Sequence, residues 1–192
     1  MEECSKLGLA QSTGVSNFGP MKLSHILQFR TIPPAVDQVE MNVAWQQEKL
    51  WEYCREKGIH VSAWSPLAAN GASWGSMAVM DSLILKSIAE ARGTNVAQVA
   101  LRWIHEQGTS VIVKSFNTER IRGNLKIFEW EEELTGDEME KIKQIPQRGG
   151  VSGSVYVNES GPGGYKSLDE LWEWLTKFVD ICMPWLPMLL LL

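Results

Sequence analysis

Four short apolar runs rich in β-branched residues recur along the chain: Thr13–Ser16, Ala35–Glu40, Ile59–Trp64 and Ser110–Lys114. A segment with helical periodicity follows each, and Gly58 and Gly108 stand as stop signals just before the third and fourth runs. Strands that alternate with helix-length segments need crossover connections, and these predict a parallel sheet. The helical pattern is clearest after Asn95, where Val96, Val99, Ala100, Trp103 and Ile104 fall on one face. Asn95 with Gln98 reads as a capping box there, and Gly108 as the residue just past the helix end. Thr135–Glu138 and Ser167–Glu170 match the capping-box pattern more fully, and Trp45–Lys57 and Met80–Arg92 are further amphipathic segments. Glu2–Leu9 reads as a helix-like piece ahead of the first strand, and the Gly/Ser-rich stretch from Arg148 to Gly164 as a long loop.

An open sheet that holds a dinucleotide needs a Gly-x-Gly-x-x-Gly turn after a strand. Gly161-Pro162-Gly163-Gly164 fails that spacing and has no strand before it. The remaining architecture is a (β/α)8 barrel, which typically takes about 250 residues. With four strand–helix units, the predicted fold class is α/β: the second half of such a barrel, with four parallel strands and helices, and incomplete as a barrel.

Composition narrows the function classes. A hydrophobic share of 44%, a charged share of 21% and a net charge of −5 exclude wholesale disorder and a generally basic nucleic-acid binder. Cys4, Cys54 and Cys182 are widely spaced and odd in number, which suits reduced thiols and a cytoplasmic protein better than a disulfide framework or a zinc site. Acid at Glu2 and Glu3 stands where a secretory signal carries base. Phe178–Leu192 is nearly all apolar, but Pro184 and Pro187 interrupt it. It is shorter than the ~20 residues a spanning helix needs, so it reads as a sticky tail rather than a membrane anchor.

Candidate chemistry gathers at the C-terminal ends of the predicted strands. Gly14-Val15-Ser16-Asn17-Phe18 resembles a nucleophile elbow, yet the fifth position is Phe18 and no partnered His–Asp set accompanies it. Ser16 and Asn17 are better suited to hydrogen-bonding a ligand amide, or simply to ending a strand. Gln38 lies in an apolar strand with Glu40 and Asn42 at alternate positions, so it joins a structural network or faces a ligand. Trp64 ends the third strand, where a ring can stack on a flat heterocycle or fill core. Lys114-Ser115-Phe116-Asn117, followed by Arg120, Arg122, Asn124 and Lys126, is the one local concentration of base. At a strand end and helix start it reads as a phosphate site, with a solvated helix face as the alternative. His25, His60 and His105 lack metal-ligand spacing, so no metal site is expected.

Together Gly14–Phe18, Gln38–Asn42, Gly58–Leu67, Gly75–Gln107, Val113–Asn124 and Ile145–Arg148 resemble the aldo-keto reductase superfamily, in its plant branch near chalcone-reductase and deoxymugineic-acid-synthase-like enzymes. Tyr165–Trp172 resembles the family's closing residues, so the likeness covers residues 1–172 as the C-terminal half of the domain and leaves 173–192 as a divergent tail. The resemblance implies NADPH-dependent reduction of a small-molecule carbonyl. It implies that Ser16, Asn17 and Gln38 hold the nicotinamide carboxamide, that Trp64 stacks on the nicotinamide ring where the family more often has Tyr, and that Ser65 and Leu67 contact the pyrophosphate. Lys114, Ser115, Phe116, Arg120 and Asn124 would hold the adenosine 2′-phosphate and adenine, the cationic groups favouring NADP over NAD. Gly123 stands where the family usually has Glu or Gln, and Gly149–Gly164 corresponds to the substrate-closing loop.

The family's catalytic Tyr, Lys, Asp and His come from its first four strands, and Tyr53, Tyr156 and Tyr165 match none of those positions. No catalytic residue is therefore assigned. Three functions stay open: a reductase that works once a first half is supplied, a non-catalytic NADP-binding or interaction module, and a non-functional truncated product. Half a barrel leaves edge strands and inward faces uncovered, which predicts self-association.

Overall fold

The computed structural model describes residues 1–147. Four strands, β1 (Gly14–Ser16), β2 (Val36–Glu40), β3 (His60–Trp64) and β4 (Ser110–Val111), line up in sequence order, and β1–β2 and β3–β4 are parallel pairs. The described residues fall into two units. One holds Met1–Gln38 and Glu48–His60, the other Val39–Gln47 and the chain from Val61 to residue 147. β2 and β3 run through both and pair in each: His60 N–H donates to the Ala35 carbonyl at 2.9 Å in the first, and Met41 N–H to the Trp64 carbonyl at 3.3 Å in the second.

In the first unit the sequence sets the β1–β2 spacing through Gly14. A Cβ there would sit 2.8 Å from the Val36 carbonyl oxygen, so the strands approach closely only because that side chain is missing. α2 (Pro20–Phe29) starts with proline at its first position, where the lost N–H costs nothing, and buries Leu23. α3 (Glu48–Lys57) buries Leu50 and Cys54. α1 is short, Glu2–Lys6, and Glu2 Oε1 ties it down by accepting from Thr31 N–H at 2.8 Å and Ile32 N–H at 3.1 Å.

In the second unit α4 (Leu83–Ala91) is capped by Ser82, whose hydroxyl oxygen accepts from Leu85 N–H. α5 (Val96–Glu106) carries the expected capping box between Asn95 and Gln98 and buries Val99, Ala100, Trp103 and Ile104. Gly108 follows its end with φ +72°, a conformation that favours glycine. α6 (Thr118–Leu125) runs into a 3-10 turn, Lys126–Glu129, and α7 (Gly136–Lys143) has the expected Thr135–Glu138 capping box. Arg92 pairs with Glu138 and Arg102 with Glu106, and both guanidinium groups lie over the Trp130 ring, at 5.3 and 5.7 Å from its centroid. Glu106 also accepts from Leu134 N–H.

Several elements are shorter than expected: Met80–Arg92 narrows to Leu83–Ala91 and Glu2–Leu9 to Glu2–Lys6, and for two others a tertiary reason is visible. The fourth strand stops at Val111 instead of reaching Lys114. Ile112 N–H still reaches the Ala63 carbonyl at 2.9 Å, but the next acceptor, the Ser65 carbonyl, is taken by Ala68 N–H and the Asn42 amide. The Trp45–Lys57 helix begins at Glu48, because Asn42 and Trp45 exchange backbone hydrogen bonds in a turn. The Ser167–Glu170 cap, the Gly149–Gly164 loop, the Tyr165–Trp172 segment, the 173–192 tail, Cys182, Tyr156 and Tyr165 lie outside the described residues.

Candidate functional site

The first unit places Ser16, Asn17 and Gln38 together. Ser16 Oγ donates to the Gln38 carbonyl at 2.8 Å, and Asn17 N–H donates to the same oxygen at 3.0 Å. A side-chain hydroxyl thus adds a rung where the backbone ladder of β1 ends. Asn17 is in the left-handed region, φ 58°, a conformation that non-glycine residues adopt at a cost and that collects at ligand sites. Gln38 is half-buried, and its side-chain amide has no hydrogen bond among the described residues.

Beside them lies a group that sequence reasoning missed. Asp37 is fully buried, with one carboxylate oxygen accepting from Phe18 N–H at 3.4 Å and the other without a partner. Burial pushes its pKa up to about 8, against smaller lowering effects of the Phe18 hydrogen bond and the Lys22 charge. Cys54, also buried, is pushed up to about 12 by burial and then by the Asp37 charge, so this thiol is inert. The strand pattern offered one signal, a carboxylate inside an apolar run, but alternation set it on the face opposite Gln38.

In the second unit the end of β3 carries Trp64, Ser65 and Leu67. Trp64 is half-buried and meets Trp74 edge-on, with ring centroids 6.2 Å apart. Ser65 has φ 49°, and Ala68 and Ala69 follow with φ 52° and 50°. Asn17 and Ser65 each come directly after the last residue of a strand, so left-handed turns open both rims. The loop beyond Ser65 closes on Gly75, where a Cβ would lie 2.0 Å from the Ala69 carbonyl oxygen.

Also in this unit, Lys114, Ser115 and Phe116 lead into α6 and Arg120 lies in its first turn, whereas Asn124 lies near its other end. Lys114 Nζ sits 4.3 Å from the Phe116 ring centroid, and that ring is 90% exposed. Ser115 Oγ accepts from Asn117 N–H at 3.1 Å, and Asn117 Oδ1 accepts from Arg120 N–H at 2.9 Å. Arg122 pairs with Glu119, whereas the Arg120 guanidinium has no ion pair among the described residues. Asn124 is half-buried near Gly123, whose carbonyl accepts from Gln98 Nε2 at 2.8 Å. A Cβ at Gly123 would meet nothing within 4 Å, so the room that a longer side chain would fill is open. Exposed positive charge, a stacking surface and a helix N-terminus suit a phosphate on a purine nucleotide.

His25 and His105 make edge-on ring contacts with Phe29 and Phe128, and no cluster of metal-ligating side chains exists among the described residues. Among those residues no helix is long and apolar enough to cross a membrane. Tyr53 lies on α3 with the Lys57 ammonium 5.6 Å from its ring centroid.

A model of the Aldo/keto reductase family matches residues 1–147. The chain belongs to that family. This aldo/keto reductase chain is 54% identical over 173 residues to (1S)-1,7-diacetoxy-luvungin A aldo-keto reductase of Citrus sinensis, an alignment covering 90% of the chain and 53% of that protein. It is 56% identical to deoxymugineic acid synthase 1-B of Triticum aestivum, covering 90% and 54%. The chain therefore spans about half the length of the curated relatives it matches. Among solved structures, MGS-M4, an aldo-keto reductase from a Medee basin deep-sea metagenome library, superposes with TM-score 0.69 at 29% identity, covering 76% of this chain and 51% of that one. The aldose reductase of Schistosoma japonicum gives TM-score 0.68 at 29% identity, covering 77% and 46%. The four-stranded α/β arrangement is thus that of about half an aldo-keto reductase barrel.

Proposed function

We propose that this chain supplies the cofactor-holding half of an NADPH-dependent carbonyl reductase. The observation that carries the reading is the family match across every described residue, with named plant reductases among the relatives. Support for NADP over NAD comes from the exposed Lys114 and Arg120 at the α6 start, cationic groups suited to a 2′-phosphate. Phe116 offers a face to adenine, and Ser65 and Leu67 stand for the pyrophosphate. In the first unit the Ser16 hydroxyl has spent its proton on Gln38 and keeps lone pairs for a ligand amide N–H, while the Gln38 side chain can donate and accept. When bound, the dinucleotide supplies the hydride.

Protonation of the carbonyl oxygen needs a positioned acid, whose loss typically costs about 10²–10⁴ in rate. The resemblance assigns that acid to the first half of the barrel, so the chain alone is inactive on this reading. Mixing the chain with a separately expressed first half and following NADPH oxidation with a small aldehyde tests it. Turnover only in the mixture is expected, and turnover by the chain alone at ordinary enzymatic speed overturns it. A second reading, a binding module without turnover, draws on the same missing acid and predicts saturable binding that depends on the 2′-phosphate, without turnover in the mixture.

A further inference from the structure

We propose that Asn42 is a positioning residue for the Trp64–Ser65 rim, holding the Trp64 ring in the plane that a nicotinamide would meet. The ring's role rests on the reading above, whereas the positioning itself does not. Asn42 is 1% exposed, and nearly every polar group it has is engaged within the second unit. Its backbone N–H and carbonyl pair with Trp45 at 3.1 and 2.9 Å. Its Oδ1 accepts from Ala44 N–H at 3.0 Å, and since a backbone N–H can only donate, this bond fixes which way the amide faces. The amide nitrogen must then donate, and it does so twice, to Glu40 Oε1 and to the Ser65 carbonyl, each at 3.3 Å.

The Ser65 bond matters because of where it falls. The backbone ladder between β2 and β3 makes its last rung from Met41 N–H to the Trp64 carbonyl. Beyond it Ser65 turns left-handed, and the Asn42 side chain reaches the next carbonyl instead. The carbonyls of the 64–65 and 65–66 peptides are therefore both held by residues that follow β2 directly, one by the Met41 backbone and one by the Asn42 side chain. Two successive peptides held in this way set the direction in which the Trp64 Cα–Cβ bond leaves the strand end, and the Trp74 ring, edge-on at 6.2 Å, borders the staggered position that the side chain takes from there. A buried residue kept only for packing needs no donor aimed at a strained carbonyl.

Asn42→Asp tests this with little change of shape. It keeps the acceptor for Ala44 and removes both donors. Full-length chain labelled with 5-fluorotryptophan is followed by ¹⁹F NMR, the Trp64 resonance being assigned by its loss in Trp64→Phe. In parallel, wild type and variant are titrated with NADPH and with 2′,5′-ADP, which lacks the nicotinamide. The expected result is a displaced or broadened Trp64 resonance with the other resonances held. NADPH binding weakens about ten-fold, as befits loss of the one of the two bonds that reaches the rim, at the Ser65 carbonyl, and 2′,5′-ADP binding is unchanged. An unmoved Trp64 resonance overturns the proposal, as does an equal loss for both ligands. Should neither ligand bind the wild type, the cofactor reading falls while the resonance still decides the positioning. If the new carboxylate beside Glu40 prevents folding, the double variant Asn42→Asp/Glu40→Gln relieves the repulsion and is judged by the same resonance.

Discussion

Asp37 concentrates the cost of this fold in one carboxyl group. Its folded pKa of about 8 stands above the ordinary value of 3.8, so the folded chain binds the proton more tightly than the unfolded chain. Stability is then fully present below about pH 4, declines as pH rises from there and is lost once pH has passed through about 8, with a total on the order of 6 kcal/mol. Urea unfolding midpoints across that range should show the decline, and Asp37→Asn, close in shape to the neutral acid, should flatten it. Two glycines give opposite expectations. Gly14→Ala drives a methyl into the Val36 carbonyl and should cost about 1–3 kcal/mol by the same measurement. Gly123 lies inside α6 with open space at its Cβ position, so Gly123→Ala should stabilise by about 0.4–1 kcal/mol.

Between elements, the Arg92–Glu138 pair joins the end of α4 to the start of α7, with Glu138 also closing the α7 capping box. Its hydrogen bond from Arg92, aided by those from Thr135, holds Glu138 down at about 2. The contribution is therefore present above about pH 4.5 and lost as pH falls through about 2, so Glu138→Gln should cost about 2–3 kcal/mol near neutrality and nothing in strong acid. Thermal melts at pH 7 and pH 2 check both halves of that statement. The caps at Asn95 and Thr135 were legible in the sequence because donor and acceptor lie three residues apart and need no tertiary partner. The early end of β4 was not, since it depends on Ser65 spending its carbonyl on Asn42 and Ala68. The same holds for the rims. Ser16, Asn17, Trp64 and Lys114 stand out as polar, aromatic or cationic residues at strand ends, but left-handed turns at Asn17 and Ser65 and the burial of Asp37 arise from residues distant in sequence.

For the molecule as a whole, β1 and β4 each have a strand neighbour on one side only among the described residues. In the second unit, Ile121, Leu125 and Phe128 are 45%, 59% and 62% exposed, and Ile112 and Val113 are exposed as well. The chain without a first half is expected to associate in dilute solution. Sedimentation velocity should show species larger than a monomer, and Leu125→Lys with Phe128→Glu should shift them toward the monomer. A monomer with a single sharp unfolding transition contradicts this. The serine tie has an evolutionary corollary. Because one serine oxygen at the end of β1 both fastens the wall and, on the proposed reading, turns its lone pairs to a ligand, descendants that exchange it would alter grip and wall together.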